Sequence, residues 1–234
     1  QGRIIYSNIR KFVYFLISCN MAEILIIFLP TALGFLLFPQ LTTEQLAPLA
    51  PIQMLWLNLV TDGAPALALS TEKGDPDIMD QPPRAPKEPI INRQMLLGVT
   101  TQTIAISAAT LTAFFTGLNY QGLSPENNLD IARTMAFVTL SSSELLRAFT
   151  ARSERYPLLK QGIFSNKWMN IAVLFSLLLV LVVVYVPFLN PIFKTVPLAW
   201  QQWQLLLPLL VVPSVVAELV KWFSYTHGKK TRLA

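Results

Sequence analysis

The sequence has 234 residues, 53% of them hydrophobic and only 13% charged, about half the charged share of an ordinary soluble domain. A net charge of +5 would suit nucleic acid or an anionic surface if it lay on one exposed basic face, but the Lys and Arg residues fall between long apolar runs. The single cysteine, Cys19, excludes an internal disulfide framework and a zinc site of the usual paired-cysteine spacing.

A helix needs about 20 mostly apolar residues to cross a bilayer, and the chain offers six such segments in order. Gln1 to Lys11 is polar and basic in helix-compatible order, unlike a secretory signal peptide, and with no methionine at its start it reads as a chain entered in mid-protein. The first predicted span, Phe12 to Phe38, carries Asn20 and Glu23, which are three residues apart and so share a helix face. Cys19, between them and Ser18, reads as a small buried apolar residue. The second span, Ile52 to Ser70, carries Asn58, Thr61 and Asp62 at i, i+3 and i+4. Gly63 and Pro65 then weaken the helix, which predicts a broken second helix with carbonyl oxygens of Val60 to Gly63 turned inward, a mark of ion sites at membrane depth.

Glu72 to Arg93, with Asp75-Pro76-Asp77 and Gln81-Pro82-Pro83-Arg84, reads as a loop. The third span is Met95 to Gly117, followed by a short turn from Leu118 to Asp130. The fourth, Ile131 to Phe149, contains Glu144 after three serines, and Arg147 one turn later. Ile171 to Leu189, the fifth, contains no charge at all, and the sixth runs from Trp200 to Phe223. Trp168, Trp200, Trp203 and Trp222 fall near span ends, where aromatic side chains sit at headgroup level; Trp56 lies further inside. The expected fold is all-α, a polytopic membrane bundle of six transmembrane helices. Its parts are a stalk over 1–11, two membrane helices over 12–70, a loop over 71–94, two helices over 95–149, a loop over 150–167, two helices over 168–224 and a basic tail over 225–234.

Direction follows from the positive-inside rule. Of the eighteen Lys and Arg, all but Arg133 and Lys194 fall on one side of the alternating spans. That side is therefore expected to be cytoplasmic, with both termini on it, which requires an even number of spans.

An ionisable residue inside a span costs several kcal/mol unless partnered and is by default a functional-site candidate. Glu23, Asp62 and Glu144, with Asn20, Asn58 and Thr61, make an oxygen-only set of three carboxylates, two amides and one hydroxyl. Hard cations prefer such ligands, and several carboxylates among six to eight oxygens suit calcium, whereas copper and zinc fit poorly. The plainer alternative is that each acid is a hydrogen-bonded packing residue between helices.

Three stretches carry a family resemblance: Leu16-Ile17-Ser18-Cys19-Asn20 followed by Glu23; Gln53-Met54-Leu55-Trp56-Leu57-Asn58-Leu59-Val60-Thr61-Asp62-Gly63; and Asp77-Ile78-Met79-Asp80 with Pro82-Pro83-Arg84 and Pro86-Lys87-Glu88-Pro89. On these the chain resembles the P-type calcium pumps, sarco/endoplasmic reticulum type, over their fifth to tenth transmembrane helices. The resemblance implies that Asn20, Glu23, Thr61, Asp62 and Glu144 form one calcium site, and that Asn58 and Asp62 contribute to a second, completed by a helix outside this sequence. It implies a stalk at Gln1 to Lys11 and a loop at Glu72 to Arg93 that both meet a phosphorylation domain. ATP and magnesium would act through domains missing here, since no Asp-Lys-Thr-Gly sequence occurs; the parent would be the enzyme, and its partners the lipid bilayer and the remaining parts of the same pump, with no nucleic acid.

Two departures stand out. Arg147 follows Glu144 by three residues, so it either pairs with that carboxylate and replaces one calcium ion, or snorkels to the interface. The short, cysteine-free turn after Leu118 favours a bacterial plasma-membrane pump over an endomembrane one. A channel, a secondary transporter or a non-transporting membrane scaffold is the competing class, but the two three-helix halves show no internal repeat.

Overall fold

The computed structural model describes residues 1–37, 39, 41–75, 77–79, 90–120, 125–153 and 156–231. The described residues form helices and no strand: α1 (Gly2–Leu37), α2 (Thr43–Leu46), α3 (Pro51–Trp56), a π turn (Leu57–Thr61), α4 (Gly63–Ser70), α5 (Arg93–Leu118), α6 (Pro125–Thr150), α7 (Leu158–Gln161), α8 (Lys167–Tyr185), α9 (Asn190–Phe193) and α10 (Trp200–Thr231). Four of them, α1, α5, α8 and α10, are long and apolar enough to cross a membrane. The all-α expectation holds. The Asp80, Pro82–Arg84 and Pro86–Pro89 parts of the family stretches lie outside the described residues.

Polarity is arranged as a membrane requires. On α8 the buried face is Met169, Ala172, Ser176, Val180 and Val183, while Ile171, Leu174, Phe175 and Leu178 are exposed. α10 likewise exposes Val211, Val212, Val215 and Leu219. Such continuous apolar surface is untenable in water but costs nothing against lipid. The interior instead collects Ser107, Thr110, Thr139, Ser141, Ser143 and the ionisable groups. α8 ends at Tyr185, short of the predicted Leu189, because Val186 precedes Pro187 and is held extended at φ −86°, ψ 114°. The turn predicted to run to Asp130 is likewise shorter, since Pro125 opens α6 at a position where its missing N–H is not needed. The stretch 1–11 is continuous with the first span in α1, 36 residues in one helix.

α5 and α6 pack backbone to backbone. A Cβ on Gly117 would lie 2.5 Å from the Ala132 Cα and 3.0 Å from its Cβ, so only glycine permits this approach. Gly117→Ala is expected to cost ~1–3 kcal/mol, the usual penalty of overpacking, read as a lowered midpoint in thermal unfolding of the detergent-solubilised protein.

One end of the bundle is fastened by a buried polar clasp. Arg152, just past α6, donates from Nε to Glu72 Oε2 (2.8 Å) and from Nη2 to Glu72 Oε1 (3.0 Å). Its remaining donors go to the Gly162 and Ile163 carbonyls and the Ser165 hydroxyl. Asn166 Nδ2 also donates to Glu72 Oε2 at 2.8 Å, and Asn8 Nδ2 on α1 donates to the Glu72 and Ser70 carbonyls at 2.7 and 3.0 Å. Burial alone would push the Glu72 carboxyl up, but the hydrogen bonds from Arg152 and Asn166 and the charges of Arg152 and Lys11 hold it below the usual carboxylate range. Arg3 adds donors to the Ile78 and Met79 carbonyls, so the start of α1 is tied to the loop after α4.

Candidate cation site

The site begins with an irregularity in the second hydrophobic segment. Pro65 sits in the first turn of α4 and has no N–H to offer the carbonyl four residues back, and the helix before it widens. Asp62 N–H reaches back five residues to the Leu57 carbonyl at 2.9 Å, giving the π turn over Leu57–Thr61. The expected break is therefore a bulge that lies ahead of Gly63. Among the carbonyls expected to turn inward, that of Val60 accepts from Ser176 Oγ at 3.0 Å and that of Asp62 from Ala66 N–H at 3.0 Å, while Pro65 has no N–H to give that of Thr61. What the bulge does is turn side chains. Thr61 and Asp62 become buried while Leu59 is 72% exposed.

Four of the six candidate ligands are brought together in two groups. Asn58, though on the exposed side of the π turn, donates from Nδ2 to Glu23 Oε2 at 2.8 Å and to the Met54 carbonyl at 3.1 Å. Asp62 and Glu144 converge with Cys19: one oxygen from each carboxylate and the Cys19 Sγ lie within 4.8 Å of one another. Asp62 and Glu144 are 1% and 0% exposed. No N–H or O–H donor reaches their four carboxylate oxygens, although the Cys19 thiol is placed to donate to Asp62, and Glu23 Oε1 and Thr61 Oγ1 are likewise buried without a partner. Asn20 is half-buried and spends its amide on its own helix, donating to the Leu16 carbonyl at 2.9 Å. Buried carboxylates without donors are costly, and the remedy available at this cluster is a cation or a proton.

Arg147 does not supply that charge directly. Its guanidinium stands over the Tyr14 ring, 4.4 Å from the centroid, and Nη1 donates to Thr150 Oγ1 at 3.0 Å. The expected pairing with Glu144 is not formed, and neither is snorkelling, since Arg147 is wholly buried. The reason is tertiary. α1 presents an aromatic face to the guanidinium, and Tyr14 is itself held against Gly98 of α5, where an added Cβ would collide with the phenol oxygen. Arg147 Nε and Nη2 remain without partners.

Cys19 is buried as expected and packs with Phe15, Leu69 and Ala148, and its Sγ in addition faces the two carboxylates. It sits four residues before Glu23, one turn away on the same face of α1. Ser176, which caps the Val60 carbonyl from α8, has no such spacing to a candidate ligand.

A family model for the C-terminus of cation-transporting ATPases matches residues 46–223. The chain belongs to that family. The cation-transporting ATPase region is 41% identical over 214 residues to a calcium-transporting ATPase of Bacillus subtilis, covering 92% of this chain and 22% of that protein. It is 36% identical over 232 residues to calcium-transporting ATPase 1 of Bacillus cereus, covering 94% of the chain and 25% of the relative. With the endoplasmic reticulum calcium ATPase srcA of Aspergillus fumigatus the identity is 31% over 248 residues, 95% of the chain and 24% of the relative. This ATPase region thus spans a quarter or less of the length of these curated relatives, and the resemblance drawn from its motifs holds at the level of the family.

Proposed function

We propose that this chain is the cation-binding part of the membrane region of an ATP-driven calcium pump. Asp62, Glu144 and Glu23 supply the charged oxygens, and Asn20, Asn58 and Thr61 the neutral ones. The observation that carries the reading is the convergence of Asp62 and Glu144, both buried, with no N–H or O–H donor reaching any of their four carboxylate oxygens. The names of the Bacillus and Aspergillus relatives support calcium as the cargo. In this reading Pro51–Ser70 and α6 complete six spans with both termini in the cytoplasm of a bacterium, in its plasma membrane, and ATP and magnesium act through the rest of the pump. The α1 end and the loop after α4, joined by Arg3 and Asn8, face those other domains.

Arg147 modulates the site in this proposal. It keeps a fixed positive charge buried one turn from Glu144, and a swing from Tyr14 onto the carboxylate would satisfy its two unpartnered nitrogens, Nε and Nη2, together with Glu144. The full-length pump reconstituted in sealed vesicles should accumulate calcium on ATP addition and release it to an ionophore; no uptake would refute the calcium reading. Once the guanidinium makes that swing it stands in for an ion, so calcium bound per phosphoenzyme should be about one, and a ratio near two would show that it stays on Tyr14.

A further inference from the structure

Cys19 is 0% exposed, and its Sγ faces one oxygen of Asp62 and one of Glu144, all three within 4.8 Å of one another. Three separate segments, α1, the end of the π turn and α6, bring these atoms together. A point equidistant from three atoms at that spacing lies about 2.8 Å from each, close to the roughly 2.3–2.6 Å of metal–sulfur and metal–oxygen bonds. No N–H or O–H donor reaches any of the four buried carboxylate oxygens, so apart from the Cys19 thiol facing Asp62 they have no partner. A sulfur ligand changes the chemistry of such a set, since carboxylates alone favour hard cations whereas a thiolate favours soft and borderline ones.

We propose that Cys19 is a cation ligand, and that through it this site takes a thiophilic divalent cation of about calcium's size, with cadmium as the representative. The proposal rests on the cation-site reading above. On binding, a metal–sulfur bond replaces the S–H bond, and the thiol proton leaves to solvent. Two carboxylates and one thiolate then balance the ion's charge with one negative charge to spare, which the buried Arg147 offsets. A hydroxyl at this position would give the same size and polarity without the preference for soft metals.

The test uses the full-length pump with cadmium alone as the probe, and compares wild type with Cys19→Ser and Cys19→Ala. Wild type should show an ultraviolet sulfur-to-cadmium charge-transfer band that is missing from the difference-matched variants. The ratio of cadmium affinity to calcium affinity should fall by about tenfold or more in both, the scale on which metal sites respond to lost supporting groups. An unchanged ratio, or a band that persists in both variants, overturns the proposal. Should neither variant fold, X-ray absorption at the cadmium edge of wild type still decides: a sulfur neighbour at the calcium-displaceable ion supports Cys19 ligation, and an oxygen-only shell overturns it. If the band is lost in the variants but excess calcium fails to abolish it in wild type, the calcium reading fails while Cys19 stands as a ligand.

Discussion

Asp62→Asn in the full-length pump is expected to lower apparent calcium affinity by about 100-fold or more, since ligand charge sets calcium affinity over several decades. The substitution keeps the shape of the side chain and removes only its charge, at a position 1% exposed where no N–H or O–H donor reaches either oxygen. Calcium-dependent phosphorylation from ATP measures it: the calcium concentration for half-maximal phosphoenzyme should shift, while phosphorylation in the reverse direction by inorganic phosphate, which needs no bound calcium, should persist and prove the variant folded. Asn20→Ala should shift it far less, because that amide is half-buried and its nitrogen is already engaged by the Leu16 carbonyl. An Asp62→Asn pump with unchanged calcium dependence would remove the carboxylate cluster from the transport site.

The largest loss of stability is expected from Arg152→Met. Arg152 is 1% exposed and holds both oxygens of Glu72. Removing it leaves a buried carboxylate with Asn166 as its side-chain partner, and such a break costs about 3–5 kcal/mol. The thermal midpoint of the solubilised pump should drop accordingly, and Arg152→Met with Glu72→Gln should recover part of the loss by removing the orphaned charge. Acid gives the same information without mutation. The folded-state pKa of Glu72 lies below its unfolded value, so its contribution is fully present above about pH 4.3 and is lost as pH falls through the lower, folded value. Wild type should therefore lose stability on acidification more steeply than Glu72→Gln, measured as midpoint against pH.

Much of this was legible in the linear chain. The uncharged run in α8 can only be a span or a deeply buried helix, and acids such as Glu23, Asp62 and Glu144 inside apolar runs announce themselves because their placement is costly. Two of these acids, Asp62 and Glu144, converge. The remainder depended on contacts far apart in sequence. No local pattern shows that Arg147 will prefer a Tyr14 ring on another helix to the Glu144 carboxylate one turn away, or that Glu72 and Arg152 will meet across eighty positions. The π turn was half visible: Pro65 signalled a lesion, but whether a helix breaks, kinks or takes in an extra residue depends on what packs against it, here Ser176 of α8 bonding the Val60 carbonyl. A lone thiol in an apolar stretch reads as buried filler, which Cys19 is, and only the arrival of Asp62 and Glu144 from other segments shows what its Sγ faces.

Gly98 makes no polar contact and sits on neither ligand group, yet it governs where a positive charge rests. Because it lacks a side chain, the Tyr14 phenol lies flush against α5, and the ring offered there is the seat on which the Arg147 guanidinium parks. The resting place of a buried charge is thus set by a steric vacancy on a neighbouring helix. Any methyl group at that position would evict the ring, so a purely apolar, uncharged substitution would unseat the guanidinium.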